Sequence, residues 1–339
     1  MKKYHQFIIL FIILFITTSV AAQKEHLIQG RTMGTDYHIK VVTGASESVK
    51  GLKEKIDRHL AEINKVFSTY IKDSEISRFN AVNHAGEKFQ VSDDFMQVMR
   101  VARDIHRLSK GAWDGTVNPL VDLWSFGPTW REPRKPSVDA IKTLLPKIGF
   151  EQIQIIEPNF LAKNLATVTL DLNAIAKGYA VDQVSKLVAA NEFKNYLVEI
   201  GGEVYAAGLR PDGQRWRVGI NRPAIEAKPY EVYKVVSIYN QAVATSGDYR
   251  NFFELNGVRY SHVIDPRTGY PVSNGVVSVS IIADNCTLAD GLATAIMVMG
   301  AEEGLDLINR MDNVECFIVV ERSKGVLMDL SSKGFRAEN

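Results

Sequence analysis

The chain has 339 residues, a formal net charge of +1, 46% hydrophobic residues and two cysteines. A near-neutral balance with no Lys/Arg-rich stripe argues against nucleic acid as a partner, because phosphate binding needs a concentrated basic face. Beyond the N-terminus no apolar run approaches the roughly 20 residues of a membrane span, and the length suits one large core or two fused lobes.

The first segment sets the expected compartment. Lys2 and Lys3 precede an apolar run over residues 7–16, then Thr17, Thr18 and Ser19, then the small residues Val20, Ala21 and Ala22. A basic head, a short apolar middle and a small-residue exit predict a secretory signal peptide over residues 1–22 and export to the periplasm. The alternative, an uncleaved anchor, would need a longer apolar stretch. Residues 23–339 are expected to form one domain. No cysteine follows the signal segment that could carry a lipid, because the two present are Cys286 and Cys316. They are read as buried thiols, with pairing left open for an oxidising compartment.

Strand and helix signals then alternate without an internal repeat. Residues 37–42 alternate like a strand, and residues 48–67 place Val49, Leu52, Ile56, Ile63 and Phe67 on one helical stripe. Ser92, followed by Asp93 and Asp94, announces a second helix with the stripe Phe95, Val98, Met99, Ala102 and Ile105, closed by Gly111. Residues 128–136 are a charged, proline-rich surface loop within the domain, since apolar patterning resumes on both sides. Residues 152–157, 167–172, 196–207, 235–244, 258–264 and 276–282 read as strands, and residues 173–190 and 287–300 as helices. The class is α+β, with antiparallel strands in a large sheet packed by helices.

Three constellations carry chemistry. In the helix from Thr287, Asp290 and Thr294 lie four apart on one face, while both sides of the helix are apolar. A buried carboxylate needs a partner or a cation, and a carboxylate with a hydroxyl one turn on suits a hard ion such as Mg²⁺. The alternative is Asp290 serving the helix dipole and Thr294 bonding back to a helix carbonyl. Next, a strand ending in Asp171 runs through Asn173 and Ala174 into a helix, where small residues and a helix N-terminus favour phosphate and Lys177 can reach an anion. The bland reading gives Asp171 a capping role and leaves Lys177 solvated. Third, a strand delivers His262 to the turn Asp265-Pro266-Arg267-Thr268-Gly269-Tyr270-Pro271. A histidine titrates near neutrality and suits a general base, though a structural histidine is equally compatible. The Gly201-Gly202 pair makes no G-x-G-x-x-G turn and reads as a tight kink between strands.

These motifs together resemble the ApbE family of FAD:protein FMN transferases across nearly the whole mature chain. They run Met33-Gly34-Thr35; Phe67-Ser68-Thr69-Tyr70 with Asp73-Ser74-Glu75-Ile76-Ser77; Trp113-Asp114-Gly115-Thr116-Val117-Asn118-Pro119-Leu120; Asp171 to Tyr179; Thr245-Ser246-Gly247-Asp248-Tyr249; His262 to Pro271; and Asp290 to Thr294. The resemblance implies a T-fold-related single domain that moves FMN from FAD onto a Thr or Ser hydroxyl of a partner protein, releasing AMP with magnesium. The metal ligands would be the Asp290 and Thr294 side chains and the Ala174 carbonyl. FAD contacts would fall on Met33, Tyr70, Ala112, Trp113, Asp114, Asp171, Lys177 and Ile264, with Tyr70 and Met33 covering the isoalloxazine ring. His262 would activate the acceptor hydroxyl. Expected partners are subunits of respiratory sodium- or electron-pumping complexes at the outer face of the inner membrane. Two departures stand out: many relatives carry a lipidated cysteine that this chain lacks, and Asn173-Ala174 replaces a common glycine pair. With water as acceptor the same site would be an FAD pyrophosphatase, and a non-catalytic periplasmic flavin-binding protein would need neither Asp290, Thr294 nor His262.

Overall fold

A computed structural model describes residues 23–127, 132–224, 226–228, 231–249, 251–323 and 325–338. The expected signal segment, residues 1–22, lies outside the described residues, as do residues 128–131 of the charged loop.

The frame is an eight-stranded sheet whose strands lie side by side in chain order, every neighbouring pair antiparallel. These are β1 (Lys24–Thr32), β2 (Thr35–Thr43), β3 (Asn195–Ile200), β4 (Glu203–Ala207), β5 (Gln241–Gly247), β6 (Val276–Ala283), β7 (Glu315–Ser323) and β8 (Val326–Ser331). The expected α+β class with a large antiparallel sheet is what the chain forms. Every residue of β6 is buried, which explains its nearly unbroken apolar sequence: both faces of the sheet are covered there. Val279, Ile281 and Ala283 face the helices, whereas Val277 and Ile282 face a second cluster closed by the hairpin Trp216–Asn221 and Val232–Ile238.

The helical layer is inserted mainly between β2 and β3. It comprises α1 (Leu52–Phe67), α2 (Glu75–Ala81), α3 (Asp93–Leu108), α4 (Asn118–Leu123), α5 (Val138–Leu144) and α6 (Asn173–Ala190). Two more, α7 (Cys286–Met299) and α8 (Ala301–Ile308), follow β6. The α1 stripe Leu52, Ile56, Leu60, Ile63 and Phe67 is buried as its spacing requires, but the helix begins at Leu52, not residue 48, because Gly51 is left-handed (φ 78). Ser92 caps α3 by accepting a hydrogen bond from the Phe95 N–H, as its sequence predicts. Buried on most sides, α7 packs against α6, α3 and the sheet strands β5 and β6. No helix among the described residues is long and apolar enough to cross a membrane. Cys286 and Cys316 are both buried free thiols.

Four strand expectations are corrected. Residues 196–207 are two strands, β3 and β4, turning at Gly201 (φ 62) and Gly202 (φ 104), so the expected kink is a full reversal. Residues 235–244 also split at a turn, with Asn240 at φ 51. Residues 258–264 form Val258–Ser261 and then, past His262 and Val263, the short strand Ile264–Asp265. Residues 167–172 join no ladder. Partners outside any ladder serve their backbone instead: Leu170 N–H donates to Asn80 Oδ1 on α2 and Asp171 N–H to the Gly115 carbonyl.

Candidate active site

The site grows from the contact between α6 and α7. Asn285 caps α7 through the Leu288 N–H, and Asp290 follows in the next turn, only 3% exposed. Its Oδ2 accepts a hydrogen bond from the Gly178 N–H at 2.9 Å. That approach requires glycine, since a Cβ on residue 178 would lie 2.3 Å from the Cys286 carbonyl oxygen and 2.8 Å from the Asp290 Cβ. One turn on, Thr294 Oγ1 shares a hydrogen bond of 3.1 Å with Ser246 Oγ at the end of β5. Asp290 thus serves neither the N-cap nor the first turn of its helix, and Thr294 has a hydroxyl partner outside it.

Lys177 is half-buried and not free. Its Nζ lies 2.6 Å from Glu203 Oε1 at the start of β4 and 4.0 Å from Asp290 Oδ1. Burial pulls the lysine pKa down, but the charges of Asp290 and Glu203 outweigh it and hold the ammonium above its ordinary value. Burial pushes the Glu203 carboxyl up, with Lys177 pulling it back and Asp290 adding to the rise. Two carboxylates therefore face one ammonium, and Glu203 Oε2 is buried without a hydrogen-bond partner among the described residues. The Asp290 carboxylate and the Thr294 hydroxyl one turn on make an all-oxygen donor set, which fits a hard divalent cation.

Asp171 precedes Leu172, the N-cap of α6, which has no side-chain cap; its Oδ1 instead accepts the Asn173 N–H at 2.9 Å in a local turn, while burial raises its pKa. Asp171 also ties the turn to the 112–118 loop through the Gly115 carbonyl. In that loop Asp114 is spoken for: Oδ1 accepts from the Thr116 N–H and hydroxyl, and Oδ2 from the Phe150 N–H. Asp114 also groups with His106 and Glu151 closely enough to suggest a cation site among the described residues. Those hydrogen bonds leave Asp114 little to give, and His106 Nδ1 donates to the Trp113 carbonyl at 2.8 Å.

His262 stands on the opposite wall. Its Nδ1 lies 2.9 Å from the Asn251 carbonyl, which can only accept, so Nδ1 carries the proton and Nε2 is the basic nitrogen of the neutral ring. Burial lowers its pKa, against the Asn251 hydrogen bond, which favours the neutral form at physiological pH. The turn below it is stiff. Arg267 grips Asp265 with two hydrogen bonds of 2.9 and 2.8 Å, and Trp124 Nε1 donates to the Gly269 carbonyl at 2.8 Å.

These walls enclose a cavity of about 670 Å³, within the usual range of roughly 300–1,000 Å³ for small-molecule sites. Tyr70, Ala112, Trp113, Asp114, Asp171, Ala174, Lys177, His262, Ile264, Asp290 and Thr294 all border it. Tyr70 is 74% exposed and stands at its rim. Met33 is not among the residues that border it: at φ 49 it forms the tip of the β1–β2 turn with Gly34 and packs on the core. Glu203 and Phe126, which sequence reasoning passed over, border the cavity too. The available signal for Glu203 was a lone carboxylate in an otherwise apolar strand.

Against known proteins, a family model described as the ApbE family matches residues 33–318. The chain is 42% identical to a protein of Vibrio cholerae named FAD:protein FMN transferase, over 93% of this chain and 92% of that protein. A Haemophilus influenzae protein of the same name is 36% identical over 92% of each. Among solved structures, the flavin transferase ApbE from Vibrio cholerae superposes with a TM-score of 0.83 at 40% identity, covering 92% of this chain and 98% of that one. The apo form of the Pseudomonas stutzeri flavinyl transferase ApbE gives 0.82 at 37% identity, covering 92% and 95%.

Proposed function

Because the chain belongs to the ApbE family, we propose that it is a magnesium-dependent enzyme that transfers FMN from FAD to a Thr or Ser hydroxyl of a partner protein and releases AMP. The observation that carries this reading is the convergence on one cavity of a helix N-terminus, a Lys177 ammonium between the buried Asp290 and Glu203 carboxyls, and a histidine with a basic Nε2.

The chain's own groups divide the work. The head of α6 presents backbone N–H groups and the positive end of its dipole to the pyrophosphate, with the Lys177 ammonium beside it. Asp290, Thr294 and the Ala174 carbonyl would hold magnesium, which when bound neutralises phosphate charge at the reacting phosphorus. Tyr70 at the rim offers a flat face to the flavin ring. His262 Nε2 takes the proton of the acceptor hydroxyl as that oxygen bonds to the FMN phosphorus. The bond from this phosphorus to the AMP phosphate oxygen breaks, and AMP leaves with the electron pair. The signal segment supports export, so the acceptors are sought among proteins exposed at the outer face of the inner membrane, with respiratory pump subunits first among them.

Incubation of the purified chain with FAD, Mg²⁺ and a candidate acceptor tests this, read as flavin fluorescence on a denaturing gel and AMP by chromatography. Fluorescent acceptor with equimolar AMP is expected. AMP and free FMN without labelled protein would make the site an FAD pyrophosphatase, and FAD binding with neither product would leave a flavin-binding protein.

A further inference from the structure

Glu203 opens β4 directly after the Gly201–Gly202 turn, is 3% exposed and borders the cavity. Its Oε1 holds Lys177 at 2.6 Å, while Lys177 stands 4.0 Å from Asp290 Oδ1. Asp290 is tied to α6 next to Lys177 through the Gly178 N–H. One ammonium therefore lies between two carboxylates and is drawn to the one on β4. In a buried site an ammonium and a divalent cation compete for the same carboxylate oxygens, since each needs the charge the other would neutralise. Lysine is a flexible point charge, so without Glu203 its nearest anionic partner is Asp290.

We propose that Glu203 is a positioning residue that holds Lys177 off Asp290 and so keeps that carboxylate available to a divalent cation. This rests on the reading of Asp290 as a metal ligand. The role differs from simple support of a half-buried lysine: Glu203 acts through Lys177 on the affinity of a site that it does not itself complete. Two features agree with it. Glu203 reaches Lys177 from a strand and Asp290 from a helix, so the two carboxylates are held apart by separate elements. The pairing with Glu203 uses one of the three N–H donors of the ammonium and leaves the others for a phosphate.

The test is a titration of the full-length chain with Mn²⁺ alone, without FAD, followed by the electron paramagnetic resonance of the free ion. Glu203→Gln is expected to weaken Mn²⁺ binding by about 10-fold or more, the lower end of the usual effect of a residue acting behind a ligand. Adding Lys177→Met to it removes the competitor and should return the affinity to near that of the parent. Unchanged binding in Glu203→Gln, or a double variant as weak as Glu203→Gln, overturns the inference. Should Glu203→Gln fail to fold by circular dichroism, Lys177→Met alone decides: it should bind Mn²⁺ at least as well as the parent, and weaker binding overturns the inference. Asp290→Asn keeps the two readings apart. If it binds Mn²⁺ like the parent, the metal reading itself fails, whereas loss of binding there beside an unaffected Glu203→Gln sinks only the role of Glu203.

Discussion

Gly178 and Asp290, 112 residues apart in the chain, meet through a backbone N–H and a carboxylate at 2.9 Å, at a helix crossing too close for any side chain on residue 178. Gly178→Ala should therefore push α6 from α7, since the obstructing atoms are the Cys286 carbonyl and the Asp290 Cβ, not a flexible side-chain end. Overpacking of this kind costs about 1–3 kcal/mol, and displacement of a reacting group by ~1 Å costs on the order of 10²-fold in rate. Melting temperature and FMN transfer should both fall. A variant with parental melting temperature and rate would show that the crossing has slack.

Asp290→Asn should separate metal affinity from stability. The asparagine amide oxygen can still accept the Gly178 N–H, so the helix contact survives, but the ligand charge is gone. Half-saturation of activity by Mg²⁺ should rise by ~10-fold or more, with unfolding free energy changing by about 1 kcal/mol at most. Equal half-saturation and equal maximal rates in variant and parent would remove Asp290 from the metal site.

For His262 the direction of the pKa shift sets the pH profile. Burial lowers the value, so the folded protein keeps the ring neutral and basic below the ordinary imidazole value of about 6.5. The acid limb of transfer activity should fall below that pH, and the stability contributed by the neutral ring, full above the unfolded pKa, should be lost as pH falls through the folded one. His262→Ala should keep the fold and most FAD affinity, lose ~10²–10⁴-fold in transfer rate, and lose the acid limb. Transfer within a few-fold of the parent would take His262 out of the chemistry.

Tyr70 and Met33 should part company. Tyr70 is 74% exposed at the cavity rim, so Tyr70→Ala should leave the melting temperature unchanged. Loss of a stacking face is worth about 0.5–1.5 kcal/mol, which predicts FAD affinity several-fold weaker by flavin fluorescence. Met33→Ala, at a residue that does not border the cavity, should weaken FAD binding less than Tyr70→Ala does. The reverse ranking would mean that the β1–β2 turn moves onto the flavin.

Much of this was legible in the sequence where one residue type has one local meaning. The α1 and α3 stripes, the Ser92 cap and the i,i+4 pair Asp290 and Thr294 are periodic or positional signals, and they appear where they were expected. The strand errors share a cause. In β3–β4 and around β5 an apolar run continues through a reversal because both arms are buried in neighbouring ladders, so the pattern marks burial but not direction. Residues 167–172 alternate like a strand yet bond to Asn80 and Gly115, partners that no local pattern announces. Glu203 escaped for a related reason: its partner Lys177 lies on another element, and only the fold brings the two together at the cavity.

The meander order of the sheet conceals one long excursion. Adjacent strands β2 and β3 meet through pairs such as His38 and Glu199, separated by 161 positions in the chain. Nearly the whole helical layer must be threaded before that ladder can close, and loop closure over such a span is entropically unfavourable until distant contacts reward it. Asp290 and Thr294 arrive later still, from beyond β6. During refolding, secondary structure should therefore recover ahead of FAD binding, and a chain cut after β6 would retain the head of α6 without Asp290 and Thr294.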